Sequence, residues 1–219
     1  MVDENLKSLT IGWVGTGKMG FPMAARLIEA GIDVTVYNRT ASKAEPLGVS
    51  LVEKPADLAD RDIVYTIVTD DKALLETTIG PNGILSSKTK PKILIDSSTV
   101  SLEASEKIRG KANEQSVMFL AAPISGNGNA VKAGQATLGV SGPRAGYDIV
   151  EPFKDLYINN SNISFFCSVS ESKLKGGNTL LYFSFSIDIK LCKPEIKLYL
   201  SKAFLIRQSL SLKVCFFLL

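Results

Sequence analysis

The sequence predicts an α/β fold with a doubly wound parallel sheet. Apolar, strand-like segments alternate along the chain with segments whose apolar residues recur every three to four positions. A glycine-rich turn, Gly15-Thr-Gly-Lys-Met-Gly20, separates the first strand from the first helix. With 219 residues, 45% of them hydrophobic, the chain has room for one such domain and part of another.

The strands are predicted at short apolar or alternating segments. In chain order these segments are residues 9–14, 33–37, 50–52, 63–68, 93–95, 117–120, 136–141 and 163–167. Helical segments or turns separate them, and strands connected through helices run parallel in one sheet. The order of the elements therefore predicts helices on both faces of a parallel sheet.

The helices are predicted from apolar stripes and from their terminal residues. The first helix follows the glycine turn and ends at Gly31. Its apolar face consists of Met19, Met23 and Leu27. A second helix follows Ser101, whose hydroxyl is suited to cap an amino terminus. Its apolar stripe consists of Ala104, Ile108 and Ala112. A third helix is predicted over residues 144–156.

The spacing of the glycines in the turn is typical of a dinucleotide-binding Rossmann fold. Gly15 permits a tight turn, Gly17 lets backbone N–H groups approach a pyrophosphate, and Gly20 lets the helix pack closely on the strand. The amino terminus of the helix favours the negative charge of the phosphates. The residues predicted to bind the cofactor here are Gly15, Thr16, Gly17, Lys18, Met19 and Gly20.

The same turn also matches most of a second motif. Gly12, Gly17 and Lys18 fit the first seven positions of the P-loop of nucleotide triphosphatases. That motif requires a serine or threonine hydroxyl for magnesium at the next position, where this chain has Met19. A thioether does not supply this ligand, which argues against the triphosphatase interpretation.

The end of the second strand favours NADP(H) over NAD(H). An NAD-specific site usually has a carboxylate here to hold the ribose hydroxyls, but the chain has Asn38, Arg39 and Thr40. Asn38 carries no charge that would repel a 2′-phosphate, and the guanidinium of Arg39 is suited to bind one. We therefore expect NADP(H), with NAD(H) possible. The alternative is that Arg39 is an ordinary solvated arginine.

Composition excludes several classes of site. The chain has no histidine, which rules out Ser/His/Asp triads, histidine zinc sites and histidine acid–base catalysis. Its cysteines are too far apart for a metal or redox motif; they are Cys167, Cys192 and Cys215. We therefore expect no metal. The net charge of +3 is small and unclustered, so no nucleic acid is expected. Without a signal or spanning segment, we expect no membrane and a cytoplasmic protein.

The last part of the chain departs from the α/β pattern. Residues 183–189 alternate strictly between apolar and polar, and residues 209–214 partly do so, which is strand periodicity. We expect a Rossmann domain at 1–168 and a short, atypical extension at 169–219. An exposed strand of this kind favours aggregation or serves as a partner strand for another protein.

Four blocks of sequence together resemble the β-hydroxyacid dehydrogenase family, which includes the 3-hydroxyisobutyrate dehydrogenases and, more distantly, 6-phosphogluconate dehydrogenase. The blocks begin at Ile11, Val36, Asp96 and Ala122, and the last one continues into Ala133-Gly-Gln-Ala-Thr-Leu. The likeness extends over roughly the first 157 residues. It implies an NADP-binding Rossmann domain, with residues 169–219 as a truncated or diverged remnant of the family's helical domain.

The resemblance also implies roles for individual residues. Val68, Thr69 and Asp70 fall on the adenosine and pyrophosphate side of the cofactor, and Thr99 on the nicotinamide ribose. The positions that match the family's substrate-carboxylate loop are Ser125, Gly126 and Asn127. Asn127 replaces a usual glycine. For Ser125 the alternative is a loop serine that bonds its own backbone.

The family's catalytic lysine and asparagine are four residues apart on one helix, and this chain departs from that spacing. Lys175 lies three residues before Asn178, and Lys173 lies five residues before it. On a regular helix Lys175 is the closer in angle to Asn178, so we assign catalysis to Lys175 and Asn178. Alternatively, both lysines are solvated residues near a helix start.

The implied activity is NADP-dependent oxidation of the CH–OH group of small β-hydroxy acids, or reduction of the corresponding semialdehydes. The partner is then a small carboxylate substrate. The alternative is an NADP-binding protein with impaired catalysis that lacks the closing helical domain. A homodimer is possible but doubtful without that domain.

Overall fold

The fold was analysed in a computed structural model, which describes residues 4–133, 136–153, 165–173 and 179–186. The helices are α1 (Glu4–Lys7), α2 (Gly20–Glu29), α3 (Asp71–Ile79), α4 (Leu102–Glu114), α5 (Gly128–Lys132) and α6 (Arg144–Val150). The strands are β1 (Thr10–Val14), β2 (Asp33–Tyr37), β3 (Ile63–Thr66), β4 (Ile93–Asp96), β5 (Met118–Ala121), β6 (Ile124–Ser125), β7 (Thr137–Ser141), β8 (Phe165–Lys173) and β9 (Thr179–Ser186). Short 3-10 turns follow β2, precede β3 and β4, and follow α6.

One sheet has the strand order β2-β1-β3-β4-β5-β7-β8-β9. The first five strands in this order are all parallel to their neighbours, with Val14 opposite Tyr37 on one side and Thr66 on the other. This confirms the doubly wound α/β fold. The sheet is mixed beyond β5, because β7 runs antiparallel to both β5 and β6.

The sheet separates two apolar cores. One face, with Ile11 and Trp13 of β1, packs against α2, α5 and α6. The other face, with Val14 and Val64, packs against α3 and α4. Adjacent residues of a strand thus enter opposite cores, which explains why the strands are apolar at nearly every position. Trp13 is fully buried and stacks on Tyr65, with 5.1 Å between the ring centroids.

The predicted helices are largely confirmed. α2 begins at Gly20 and not at Met19, because Met19 is its N-cap residue. Ser101 caps α4 as expected, since its hydroxyl accepts a hydrogen bond of 3.2 Å from the N–H of Ala104. The predicted stripe of α4 is buried.

Several predicted boundaries are corrected. Residues 50–52 form only an isolated bridge between Leu51 and Val36. The third strand ends at Thr66, because the N–H of Val68 turns away to the Ser98 hydroxyl. The helix predicted at 144–156 ends at Val150 and continues as a 3-10 turn to Phe153, where Pro152 lacks an N–H for a further helical bond.

The atypical extension contains strand where it is described. The strand predicted at 163–167 is β8, which runs on to Lys173, and the strand predicted at 183–189 is β9, described as far as Ser186. Lys175 and Asn178 lie outside the described residues, as do residues 209–214. None of the described helices has the length and apolar character needed to cross a bilayer.

Candidate functional site

The predicted cofactor residues meet at one edge of the sheet. The glycine turn follows β1, Asn38 to Thr40 follow β2, Val68 to Asp70 follow β3, and Thr99 follows β4. These four strands are parallel, so their carboxyl ends lie side by side. In open α/β sheets ligands bind outside this edge.

The three positions of the turn need glycine for different structural reasons. Gly15 has a φ of 98°, and a Cβ there would lie 2.1 Å from the carbonyl oxygen of Ile67. A Cβ on Gly20 would lie 2.1 Å from the carbonyl oxygen of Gly15. Gly17 differs, because a Cβ there would meet no atom within 4 Å. The protein's own packing therefore requires Gly15 and Gly20, whereas the open space at Gly17 lets a ligand approach the backbone.

Unpaired donors surround this open space. Within the described part of the chain, no group accepts a hydrogen bond from the backbone N–H of Gly17, Lys18 or Met19. The Thr16 hydroxyl is buried and has no partner there either. These N–H groups lie directly before α2, where the helix dipole favours an anion. The turn therefore fits the pyrophosphate of a dinucleotide.

Asn38 holds the glycine turn to the end of β2. Its Oδ1 accepts a hydrogen bond of 2.9 Å from the N–H of Thr16, and its Nδ2 donates one of 2.7 Å to the carbonyl of Thr40. Gly15 is held from two sides, since its N–H donates to Tyr37 and its carbonyl accepts from Nε1 of Trp13. The amide of Asn38 thus shapes the turn in addition to being uncharged.

Arg39 is the cation at this end of the site. Its side chain is exposed, and no hydrogen bond or ion pair engages it among the described residues. Across the cleft Asp70 caps α3, accepting hydrogen bonds from the N–H of Ala73 and the hydroxyl of Thr69, both 2.8 Å. These two bonds, with a weaker contribution from the charge of Arg39, lower the pKa of Asp70. The carboxylate therefore stays ionised near the arginine.

The end of β4 has a buried polar network. Asp96 is 2% exposed, and its Oδ1 accepts hydrogen bonds from the Thr66 hydroxyl at 2.9 Å and from the N–H of Ser98 at 3.1 Å. Burial raises the pKa of Asp96, and the side chain and N–H of Ser98, followed by the Thr66 hydroxyl, offset part of this rise. The Ser97 hydroxyl is also 2% exposed and has no partner in the described structure. Thr99 follows as an exposed residue.

The predicted substrate loop lies against the glycine turn. A Cβ on Gly128 would lie 2.7 Å from the carbonyl oxygen of Lys18. Gly126 has a φ of 133°, whereas Asn127 is extended, so Asn127 needs no glycine-like backbone. Its Oδ1 caps α5, accepting hydrogen bonds from the N–H groups of residues 129 and 130. The backbone of Ser125 belongs to β6 and pairs with Thr137.

The catalytic pair stays a prediction. Lys175 and Asn178 lie outside the described residues, and Lys173 is the last residue of β8. Across the described ranges, no group of three or more metal-binding side chains is present.

The sequence did not reveal the residues that hold the strand ends and the glycine turn in place through hydrogen bonds. Asp96 and Ser98 join β3 to β4, and the indole of Trp13 fixes the carbonyl of Gly15. One signal was available, because Asp96 is a carboxylate that directly ends the apolar strand Ile93–Asp96. Its partners could not be read from the sequence, since they lie on another strand.

Comparison with known proteins identifies the fold at this edge. Residues 10–159 match the family described as the NAD binding domain of 6-phosphogluconate dehydrogenase. The chain belongs to this family. The cofactor class is thus a nicotinamide dinucleotide, and the resemblance found in the sequence is confirmed.

Individual relatives are oxidoreductases. The chain is 36% identical to an uncharacterized oxidoreductase of Shewanella frigidimarina over 152 residues, covering 67% of this chain and 52% of the relative. It is 34% identical to glyoxylate/succinic semialdehyde reductase 2 of Arabidopsis thaliana over 157 residues, covering 70% and 44%. The chain thus spans about half the length of the relatives it matches.

A solved structure of a dehydrogenase is also similar to this chain. The 3-hydroxyisobutyrate dehydrogenase of Mycobacterium tuberculosis, determined with L-serine, superposes with a TM-score of 0.64 at 25% identity. The match covers 73% of this chain and 54% of that protein.

Proposed function

We propose that this NAD binding domain binds NADP(H) and serves an oxidoreductase that acts on the CH–OH group of small β-hydroxy acids or reduces the corresponding semialdehydes. The open space at Gly17, bordered by the unpaired N–H groups of the turn, carries the proposal. Free N–H donors beside open space before a helix suit the negative charge of a pyrophosphate. The names of the relatives, a semialdehyde reductase and a hydroxyisobutyrate dehydrogenase, support the substrate class.

The cofactor would be held along the carboxyl edge of the sheet. The turn from Gly15 to Gly20 would bind the pyrophosphate, Val68 to Asp70 the adenosine side, and Thr99 the nicotinamide ribose. When bound, the nicotinamide ring supplies or accepts a hydride. The chain's own residues bind and orient the dinucleotide through N–H donors that precede α2 and through the rigid ends of the strands.

Arg39 supports a preference for NADP(H). It is exposed and has no partner among the described residues, so its guanidinium is free to bind a 2′-phosphate through a planar pair of hydrogen bonds. Asn38 next to it is neutral, and its amide is occupied by Thr16 and Thr40. The Asp70 carboxylate, whose pKa the charge of Arg39 helps to lower, has both oxygens engaged by α3 and Thr69.

The preference is tested by binding of the two cofactors. Trp13 is the only tryptophan of the sequence and is hydrogen-bonded to the glycine turn, so its fluorescence is a convenient reporter. We expect Arg39→Ala to raise the Kd of NADPH about tenfold, because a charge-assisted pair of hydrogen bonds is lost. The Kd of NADH should change less than about twofold.

The matched control is Lys88→Ala. Lys88 is exposed and precedes β4, so it lies toward the opposite edge of the sheet while carrying the same charge. It should leave both affinities unchanged. Equal affinity of the wild-type protein for NADPH and NADH would refute the preference.

The substrate would be a small carboxylate bound near Ser125, Gly126 and Asn127. Contact between Gly128 and Lys18 supports this position, because it brings the loop next to the glycine turn. Lys175 would exchange the proton of the hydroxyl, with Asn178 orienting it. Turnover of NADPH with glyoxylate, succinic semialdehyde and tartronate semialdehyde tests the activity, and Lys175→Ala and Lys173→Ala tell the two lysines apart.

The second candidate is binding of NADP(H) without turnover. It is supported by β8 and β9, which are strands on both sides of the predicted catalytic pair, whereas the resemblance implies a long helix there. Tight NADPH binding with no oxidation by any of the three substrates would favour this candidate. A cytoplasmic location completes the proposal, and cell fractionation tests it. A homodimer stays possible but doubtful without the helical domain, and sedimentation tests it.

A further inference from the structure

Asp96 is an unusual residue for the centre of a sheet. β4 lies between β3 and β5, and its other three residues are apolar and buried. Asp96 itself is 2% exposed. A buried carboxylate costs free energy unless hydrogen bonds compensate it. The presence of Asp96 at this edge therefore indicates a structural or functional role.

The hydrogen bonds of Asp96 connect two loops of the cofactor site. Its Oδ1 accepts from the Thr66 hydroxyl on β3 and from the N–H of Ser98 after β4. The Ser98 hydroxyl in turn accepts a hydrogen bond of 2.9 Å from the N–H of Val68. A continuous chain of bonds thus runs from Asp96 through Ser98 to the loop that follows β3.

A second tie closes the far end of the same two loops. The carboxylate of Asp71 accepts hydrogen bonds from the N–H of Ser101 at 2.8 Å and from its hydroxyl at 2.5 Å. Residues 67–70 and 97–100 are therefore joined at the buried end by Asp96 and at the exposed end by Asp71. Thr99 lies between the two ties and is exposed.

We propose that Asp96 is a positioning residue that fixes residues 67–70 and 97–100 at the spacing the dinucleotide requires. Asp96 acts through Ser98 and Thr66 and does not touch the ligand. The proposal rests on the proposed cofactor site. A carboxylate suits the task because one oxygen accepts two donors, one from β3 and one from the loop that follows β4, and burial keeps water from competing for them.

The test compares Asp96 with an aspartate that ties strands elsewhere. Asp62 lies at the opposite edge, where its Oδ2 accepts the N–H and hydroxyl of Thr10 on β1, at 3.0 and 2.9 Å. Asp62→Ala is thus a control for the general loss of a strand tie. The site variants are Asp96→Ala, Asp96→Asn and Ser98→Ala. Ser98→Ala removes the hydrogen bond to Val68 without removing a charge, so it keeps the test valid if Asp96→Ala does not fold.

Two measurements separate positioning from general stability. The first is the Kd of NADPH and of 2′,5′-ADP, which lacks the nicotinamide half. We expect Asp96→Ala and Ser98→Ala to raise the Kd of NADPH about tenfold, the effect of losing a hydrogen bond to a charged group. We expect a smaller rise, about threefold, for 2′,5′-ADP, because it meets residues 67–70 on the adenosine side but lacks the half that lies near Thr99. Asp96→Asn retains an acceptor and should restore part of the affinity.

The second measurement is amide hydrogen exchange without ligand. Exchange should quicken at residues 67–70 and 97–100 in the Asp96 and Ser98 variants, and near Thr10 in Asp62→Ala. The proposal is overturned if Asp62→Ala raises the Kd of NADPH as much as Asp96→Ala does when the two variants are compared at an equal loss of Tm. It is also overturned if Ser98→Ala leaves the Kd of NADPH unchanged. Failure of the wild-type protein to bind NADPH refutes the proposed function instead, and the exchange data then decide alone whether Asp96 ties the loops.

Discussion

Asp62 and Asp96 join neighbouring strands at opposite edges of the same sheet. At the amino edge, Asp62 bonds Thr10 and pairs with Lys92, whose Nζ lies 2.9 Å from Oδ1. The Thr10 backbone bond, followed by the Lys92 bond, lowers the pKa of Asp62. At the carboxyl edge, Asp96 has no cation among its described partners, and burial raises its pKa.

The comparison separates stability from function. The carboxylate at the amino edge is 23% exposed and stabilised as an anion, which strengthens the fold at neutral pH. At the carboxyl edge the Thr16 and Ser97 hydroxyls are buried without partners among the described residues, and the N–H groups of the turn are unpaired there as well. Two other buried polar atoms without a hydrogen-bond partner among the described residues, Nε of Arg61 and Oε1 of Gln115, lie toward the amino edge. The carboxyl edge is therefore set apart by the unpaired N–H groups beside the open space at Gly17, which lie before a helix and favour an anion.

The largest effect is expected at Gly15. A Cβ there would lie 2.1 Å from the Ile67 carbonyl, at a φ of 98° that alanine disfavours. Gly15→Ala should lower the free energy of unfolding by at least about 2 kcal/mol and abolish NADPH binding. Chemical denaturation and Trp13 fluorescence measure both. A fully stable variant would show that the turn is less constrained than its contacts indicate.

Gly17→Ala should affect binding and not stability, because a Cβ on Gly17 would meet no atom of the protein within 4 Å. We expect the Tm to change by less than about 2 °C and the Kd of NADPH to rise at least about tenfold, since a methyl group displaces the pyrophosphate from its donors. Thermal unfolding and a NADPH titration check this. An alanine that binds NADPH normally would place the phosphates elsewhere.

A substitution of Asp62 tests whether the amino edge contributes to stability and not to cofactor binding. Asp62→Asn should cost about 2 kcal/mol of stability at pH 7 without changing NADPH affinity. Because the folded-state pKa of Asp62 is lowered, its contribution is present above the ordinary pKa of aspartate, about 3.9, and is lost as the pH falls through the lower folded value. Wild-type stability should therefore fall more steeply than that of the variant below about pH 4. Parallel curves would contradict the assignment.

The smallest effect is expected at Asn127. Its Oδ1 caps α5, so Asn127→Ala should cost about 1 kcal/mol, whereas Asn127→Asp keeps the cap and serves as the control. If Asn127 only caps α5, NADPH affinity should stay the same in both variants. A loss of cofactor affinity in both would show that the substrate loop contributes to the cofactor site.

The parts of the site that depend on neighbouring residues could be predicted from the sequence. The glycine turn, the cap at Ser101 and the apolar stripe of α4 are fixed within a few positions of the chain. The strand ends were less predictable. Val68 is apolar and extends the strand pattern, but its N–H donates to Ser98, thirty positions away.

The α/β class, the glycine turn and the family could be predicted from the sequence, because strand and helix periodicity and glycine spacing are local properties of the chain. Three other features became known only from the folded structure: β7 runs antiparallel, Asn38 holds Thr16, and Asp96 ties β3 to β4. These features depend on pairing between residues twenty to thirty positions apart. Their geometry arises when the strands pair, and a local pattern carries no record of which distant donor a carboxylate or an amide will meet.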